Sequence, residues 1–286
     1  MHGTFKEKVD RQDLTMAGEH TEQVRILIWC TARSLSTVLA RSLSQYPASQ
    51  CLLELFGAAA NFGPDRRFPE TELLQPRLSF KFVKELYEQP WAGKSLVLGK
   101  ELSYVMIGKQ DMIPEGYQHV FLIRNPQKSV KSLEDRMSKV AYKKKKEFYL
   151  GLNQFKNLSE MHQHVTKTLG KKALVLDADD LKSNPSEMLQ CLCTAVGLQF
   201  TDKLLEWDKV SGVPGNWMVN EKQWEDHERV GWFDRLLEST GFNPLETDPR
   251  VCPSEGQPSP HFKQMIAEAL PYYQELYQLR IKPQQS

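Results

Sequence analysis

The order of apolar runs along this chain predicts an α/β fold of three layers, α/β/α, built on a mostly parallel sheet. Three observations predict it. Short apolar and β-branched runs alternate with segments of helical period. The first such run breaks into a small, hydroxyl-rich loop that opens a helix. Charged residues collect at the carboxyl ends of the runs, where open parallel sheets hold their ligands.

The elements follow in order. Residues 25–30 (R-I-L-I-W-C) read as a buried strand, and Val38, Leu39 and Leu43 set a helical spacing from Thr37 onward. Between them lies Thr31-Ala32-Arg33-Ser34-Leu35-Ser36. A strand that turns sharply into a helix aims several backbone N–H groups and the positive end of the helix dipole at one spot. Arg33 adds a full charge there, and Ser34, Ser36 and Thr37 add hydroxyls, so this loop is a candidate cradle for a phosphate or sulfate ester.

Residues 49–55 (S-Q-C-L-L-E-L) predict a second strand with Glu54 near its end, and residues 56–69 a loop rich in Gly, Pro and Arg. Residues 80–88 predict a short helix, and residues 95–99 a third strand followed by Lys100 and Glu101. After a turn at residues 111–117, residues 119–123 predict a fourth strand ending in Arg124-Asn125-Pro126, with a helix from Gln127. Residues 139–164 read as one long polar helix, and residues 173–176 as the fifth strand. A helix over residues 180–196 begins around Asn184-Pro185 and closes at Gly197. Beyond Phe200 the chain is expected to be loop-rich. Residues 1–23, polar and without period, are expected to be a disordered leader, and residues 24–286 one domain with a loop-rich C-terminal lid. Arg33, Glu54, Lys100, Glu101 and Arg124 all fall at strand ends, which places them on one rim of the sheet.

Composition narrows the function. The 286 residues carry a formal charge of +1, so no global field favours nucleic acid and anion binding must be local. The five cysteines lack metal or disulfide spacing and are odd in number, and no secretory leader is read, so a cytoplasmic, soluble protein is expected. No apolar run reaches membrane-spanning length. A homodimer is left open.

The loop is not a G-x-x-x-x-G-K-[ST] phosphate loop: both glycines and the lysine are missing. The fourth strand ends in arginine rather than in an acid that could help hold magnesium. A sulfonyl group carries less charge than a phosphoryl group, so arginine, lysine and helix-end amides can suffice without metal. Arg124, with Ser132 about two helical turns later, forms a second candidate grip, a guanidinium fork plus a hydroxyl.

In order and spacing, these motifs resemble the sulfotransferases that use 3′-phosphoadenosine 5′-phosphosulfate (PAPS), with their P-loop-containing fold. Arg33-Ser34-Leu35-Ser36-Thr37 is similar to that family's R-S-x-S-T loop, and Arg124 with Ser132 to its 3′-phosphate grip. The segment L-V-L-D-A-D-D-L-K-S-N-P from Leu174, and the G-L-Q-F ending at Phe200, resemble a later strand and helix of the family. Gly212-Val213-Pro214-Gly215-Asn216-Trp217 resembles its cofactor-capping loop, and Trp232 with Ser239-Thr240-Gly241-Phe242 its closing segment.

The resemblance implies sulfonyl transfer from PAPS, without metal, to a hydroxyl of a small molecule, with an amine as second choice. It implies cofactor contacts at Arg33, Ser34, Leu35, Ser36, Thr37, Arg124, Ser132, Gly215 and Trp217. Where the soluble branch carries K-T-H with a histidine base, this chain has Lys100-Glu101-Leu102, so Glu54 is the first candidate base and Glu101 the second, with Lys100 and Arg33 stabilising charge. His119 starts its strand, at the far end from Arg124, and reads as structural. The other readings are a nucleotide-dependent small-molecule kinase on the same fold and a non-catalytic nucleotide-binding scaffold.

Overall fold

Six strands form one sheet in the order β5-β4-β1-β3-β2-β6, and every ladder in it is parallel. They are β1 (Val24–Cys30), β2 (Ser49–Leu53), β3 (Leu96–Leu102), β4 (Gln118–Ile123), β5 (Ala173–Asp177) and the two-residue edge β6 (Trp217–Met218). The structure, a computed structural model, describes residues 23–68, 73–137, 140, 143–242 and 258–283, with the backbone alone for residues 143–146. Residues 1–22 of the expected leader, and the side chains of the Lys143–Lys146 run, lie outside that description. Gln23 is anchored, donating to the carbonyls of Trp91 and Lys94 at 2.8 Å each.

The period of two along each strand sorts the core. Ile26, Ile28 and Cys30 of β1 face one layer and Leu27 and Trp29 the other. The first layer holds α1 (Ser36–Leu43), α7 (Ala178–Ser183), α8 (Pro185–Val196) and α10 (Asp234–Glu238). The second holds α2 (Leu55–Phe62), α3 (Phe80–Glu88), α6 (Gln154–Gln163) and the C-terminal α11 (Pro260–Gln278). A smaller apolar cluster joins α4 (Pro126–Met137) to Phe155 of α6 and to Phe262 and Ala269 of α11. The α/β/α expectation is therefore met, and no helix among the described residues is long and apolar enough to cross a membrane.

Several boundaries differ from expectation. The stretch read as a loop from residue 56 opens with helix α2, because Ala58-Ala59-Ala60 is a strong helix-forming run and outweighs Gly57. The long helix over residues 139–164 is interrupted at Leu152-Asn153, separating α5 (Lys143–Gly151) from α6, and the Asn153 side chain accepts from Lys156 N to cap the second piece. The helix over residues 180–196 divides into α7 and α8. Asp177 caps α7, Asn184 caps α8, and Pro185 stands in the first turn of α8, where its missing N–H costs nothing. Beyond Phe200 the chain is more helical than expected. It adds α9 (Glu221–Val230), capped by Asn220, as well as α10 and the 19-residue α11.

Gly99 sits mid-strand in β3 because two side chains cross its face. A Cβ there would lie 2.4 Å from the Tyr87 ring and 2.7 Å from Leu27. Gly99→Ala is therefore expected to lower unfolding stability by about 1–3 kcal/mol through overpacking. Urea denaturation of the variant, showing a reduced midpoint at unchanged slope, checks this.

Candidate active site

The carboxyl ends of β1, β2, β3 and β4 open onto one cavity, and α4, α9 and the segment after α9 wall its outer side. Its chemistry begins in the loop after β1. Arg33 and Leu35 both hold left-handed backbone conformations, with φ of 64° and 66°, which is uncommon for residues with a Cβ. Those two turns fold the loop back on itself so that α1 starts at Ser36 with no acid in its first turn. The first-turn amides, those of Ser36 and Thr37 among them, have no carbonyl one turn earlier within the helix to bond. Ser34 is consumed internally, donating to the Thr31 carbonyl at 2.9 Å, and Ala32 N donates to Gln154 Oε1 at 2.9 Å. Arg33, Leu35, Ser36 and Thr37 line the cavity.

Arg124 lies at the end of β4 on the same cavity. One terminal nitrogen donates to the Arg33 carbonyl at 2.9 Å, bracing the left-handed turn, while its Nε is buried and makes no hydrogen bond. Ser132, expected to work beside Arg124, lines the same cavity and accepts from Arg33 Nε at 3.0 Å, because the turn swings the Arg33 side chain across to α4. Arg33 also donates to the Trp232 carbonyl at 3.2 Å, and its guanidinium lies 5.6 Å from the Trp232 ring centroid. Arg136 is held by Asp234 at 2.8 Å. Burial first, then the nearby charges of Arg136 and Arg124, bring the Arg33 pKa down to about 10, so it stays cationic at neutral pH. Arg33, Arg124 and Arg235 all face the cavity.

The opposite pole is acidic and more deeply set. Lys100 and Glu54, at the ends of adjacent strands, form a buried ion pair. Glu54 too is left-handed, at φ 51°, and its N–H donates to the Lys100 carbonyl at 2.8 Å, locking main chain and side chain to the same partner. Gln223 of α9 donates to the Glu54 carbonyl at 3.1 Å and reaches its Oε2 at 3.4 Å. One turn further along α9, His227 Nδ1 lies 3.6 Å from the same Oε2. Burial pushes the Glu54 pKa up, but Lys100 and His227 outweigh it and hold the carboxyl below its usual range. Burial also works against the charged Lys100, yet Cys30 and Glu54 raise its pKa above the ordinary lysine value.

Glu101, the second candidate base, points away. Strand alternation puts it on the face opposite Lys100, where it caps α2. Its Oε1 accepts from Phe56 N at 2.9 Å and from the Tyr87 hydroxyl at 2.8 Å, and its Oε2 from Gly57 N at 3.3 Å. Gly215 and Trp217 are not brought to the cavity either. β6 pairs with β2 through Cys51 and Trp217, so Gly215 precedes the edge strand at its amino end, and the Trp217 ring is buried in the layer with α1. His119 is structural: its Nδ1 accepts from Trp29 Nε1 at 3.1 Å, and burial pushes its pKa down to about 4.

Sequence reasoning missed Gln223, His227 and Arg235. The usable signal was local, with Gln223 and His227 four apart on one helix face and Arg229 and Arg235 flanking Gly231-Trp232. Phe62, Tyr104, Met137, Tyr149 and Phe233 line the remaining, apolar part of the cavity.

Fold and cavity together define an α/β protein with Arg33, Arg124 and Arg235 gathered on a cavity at the carboxyl rim of a parallel sheet. The sequence model of the sulfotransferase domain matches residues 24–278, and the chain belongs to the sulfotransferase family. Among curated proteins it is 27% identical over 232 residues to the branched-chain-amino-acid aminotransferase-like protein 2 of Arabidopsis thaliana, covering 79% of this chain and 37% of that protein. Protein 1 of the same name and organism is 26% identical over 251 residues, covering 86% of this chain and 40% of that protein. The chain thus spans about two-fifths of the length of these relatives. Among solved structures, the sulfotransferase domain from the curacin biosynthetic pathway superposes with a TM-score of 0.50 at 14% identity, over 86% of this chain and 96% of that one.

Glu101 gives this region a pH signature. Burial pushes its carboxyl up to about 8 against the pull of the Phe56 amide and the Tyr87 hydroxyl, so the folded state favours the neutral acid. The stability that Glu101 contributes is therefore full below its ordinary pKa and is lost as pH rises through about 8. Glu101→Gln, which does not titrate, should gain on the wild type in urea midpoint between pH 5 and pH 8.5, read from paired denaturation curves.

Proposed function

We propose that this sulfotransferase moves a sulfonyl group from PAPS to the hydroxyl of a small-molecule acceptor, with amines as the second acceptor class. The observation that carries the donor assignment is the cluster of guanidinium groups on one cavity wall, including one buried Nε of Arg124 without a hydrogen-bond partner. Burial first and then cationic neighbours already lower the Arg33 pKa, so a multiply charged anion relieves repulsion as it binds. Arg33 and the amides and hydroxyls of Ser36 and Thr37 suit the phosphosulfate end, and Arg124, Arg235 and Ser132, which line the same cavity, suit the 3′-phosphate. Leu35 contributes through its turn, and Ser34 through its bond to Thr31.

At the other pole Lys100 stands at the end of β3 beside the cradle. Its ammonium stabilises charge on the transferring sulfonyl and on the departing phosphate oxygen. The acceptor hydroxyl gives up its proton at the Glu54 pole. The apolar walls formed by Phe62, Tyr104, Met137, Tyr149 and Phe233 suit an uncharged acceptor body. The kinase reading finds no support in the loop or at the strand ends, which lack the phosphate-loop lysine and an acidic residue placed for magnesium.

Sulfur-35 supplied as PAPS should pass to a pool of aliphatic alcohols, phenols and amines with the wild-type protein. Arg33→Ala should reduce that transfer at least about 100-fold, the scale set by removal of a single transition-state donor. Arg124→Ala should weaken the binding of 3′,5′-adenosine bisphosphate (PAP) in calorimetry more than that of adenosine 5′-phosphate. Equal transfer by wild type and Arg33→Ala, or equal losses for the two nucleotides, would refute the assignment.

A further inference from the structure

Glu54 is badly placed to take a proton itself. Lys100 occupies Oε1, while Gln223 and His227 crowd Oε2, and the carboxyl is held below its ordinary range. Proton transfer is most effective from a base whose pKa lies near the working pH, and imidazole as a class comes closer to that than a stabilised carboxylate. A histidine reaches the same carboxyl from α9. Gln223 and His227 are four residues apart, so they share a helix face, and both press against Glu54. Three contacts fix that face. Asn220 caps α9 by accepting from Gln223 N at 3.0 Å, Asn220 itself donates to Gln75 at 2.8 Å, and the Phe233 ring meets His227 edge-on at 5.0 Å. His227 lines the cavity alongside Glu54, Lys100 and Arg33.

We infer that His227 is the catalytic base and Glu54 its positioning residue, an inference that rests on the sulfonyl-transfer reading above. Nδ1 carries the ring proton and faces the Glu54 carboxylate, which makes Nε2 the accepting nitrogen. Nδ1 and Oε2 stand 3.6 Å apart, a separation that a small rotation of the imidazole ring brings within hydrogen-bond reach. In the step itself, the acceptor oxygen forms a bond to sulfur as its O–H proton passes to His227 Nε2. The bond between sulfur and the bridging phosphate oxygen breaks, and its electron pair leaves with PAP. Glu54 stabilises the imidazolium that results, while Lys100 stays with the sulfonyl and leaving oxygens.

Nitrogen-15 spectra of imidazole-labelled protein at pH 8 read the tautomer without any turnover. The expected wild-type signature for His227 is Nδ1–H, with a shift towards Nε2–H in Glu54→Gln. An Nε2–H ring in the wild type, or the same tautomer in both proteins, overturns the inference. With sulfur-35 PAPS and the pooled acceptors, His227→Asn should lose about 100-fold in kcat, the lower end of what a general base contributes, with KM for PAPS and calorimetric PAP affinity unchanged. His227→Asn that binds PAP normally and transfers label at the wild-type rate also overturns it. Failure of the wild type to bind PAP would instead remove the sulfonyl-transfer reading, with the tautomer spectra still deciding the pairing.

Discussion

The buried pair of Lys100 and Glu54 is the constraint on which the site depends. Removing two charges from water is expensive, and a lone pair inside a core is often no more stable than well-packed apolar residues. Here the charges are embedded in further bonds. The Glu54 amide donates to the Lys100 carbonyl, and Gln223 closes over the Glu54 carbonyl. The pair therefore ties together the ends of β2 and β3, the start of α2 and the face of α9. A cation and a carboxylate stand side by side where strands from one part of the sequence meet a helix more than 100 residues later.

Of the four described non-glycine residues with positive φ, three lie at the cavity and one, Ala48, does not. Arg33, Leu35 and Glu54 all hold φ values above 50° without being glycine, and all three line the cavity. Such conformations cost of order 1 kcal/mol each and persist only where the surroundings impose them. The imposing groups are visible: Arg124 on the Arg33 carbonyl, the Leu35 carbonyl accepting from Val38 and Leu39, and Lys100 with Gln223 around Glu54. Two of these positions, Arg33 and Leu35, stand on the side of the clustered guanidinium groups, and the third, Glu54, at the opposite pole, so both poles of the cavity are held by backbone that its surroundings impose.

Much of this was legible in the sequence because it follows from period and position. Alternating apolar runs gave five of the six described strands and the parallel character of the sheet, though neither the edge strand β6 nor the strand order, and the rule that strand ends carry ligands gathered Arg33, Glu54, Lys100 and Arg124 on one rim. Ranking Glu101 as an alternative base neglected the same rule of two, since a residue next to Lys100 in a strand must face the other way. The misreadings elsewhere have a different origin. Gly215 and Trp217 matched a motif by spacing alone, but the side chain of Asn216 bonds Ser44 and Ser49 and draws the segment to the sheet edge. His227 and Gln223 were invisible for a related reason: a polar helix face shows its period, but not which distant strand it will meet.

The alternation along β3 also has a bearing on how this protein can vary. Lys100 and Glu101 occupy successive positions in a strand paired on both sides, with Ile28 and Leu53 beside the lysine and Trp29 beside the glutamate. Inserting or deleting a single residue upstream in that strand would exchange their faces. The carboxylate would then face Glu54 in place of its ammonium partner, and the ammonium would meet the positive end of α2, two repulsions where each group now has a partner. The register of β3 is therefore as much a part of the site as the side chains that it carries, and a one-residue gap there undoes both poles at once.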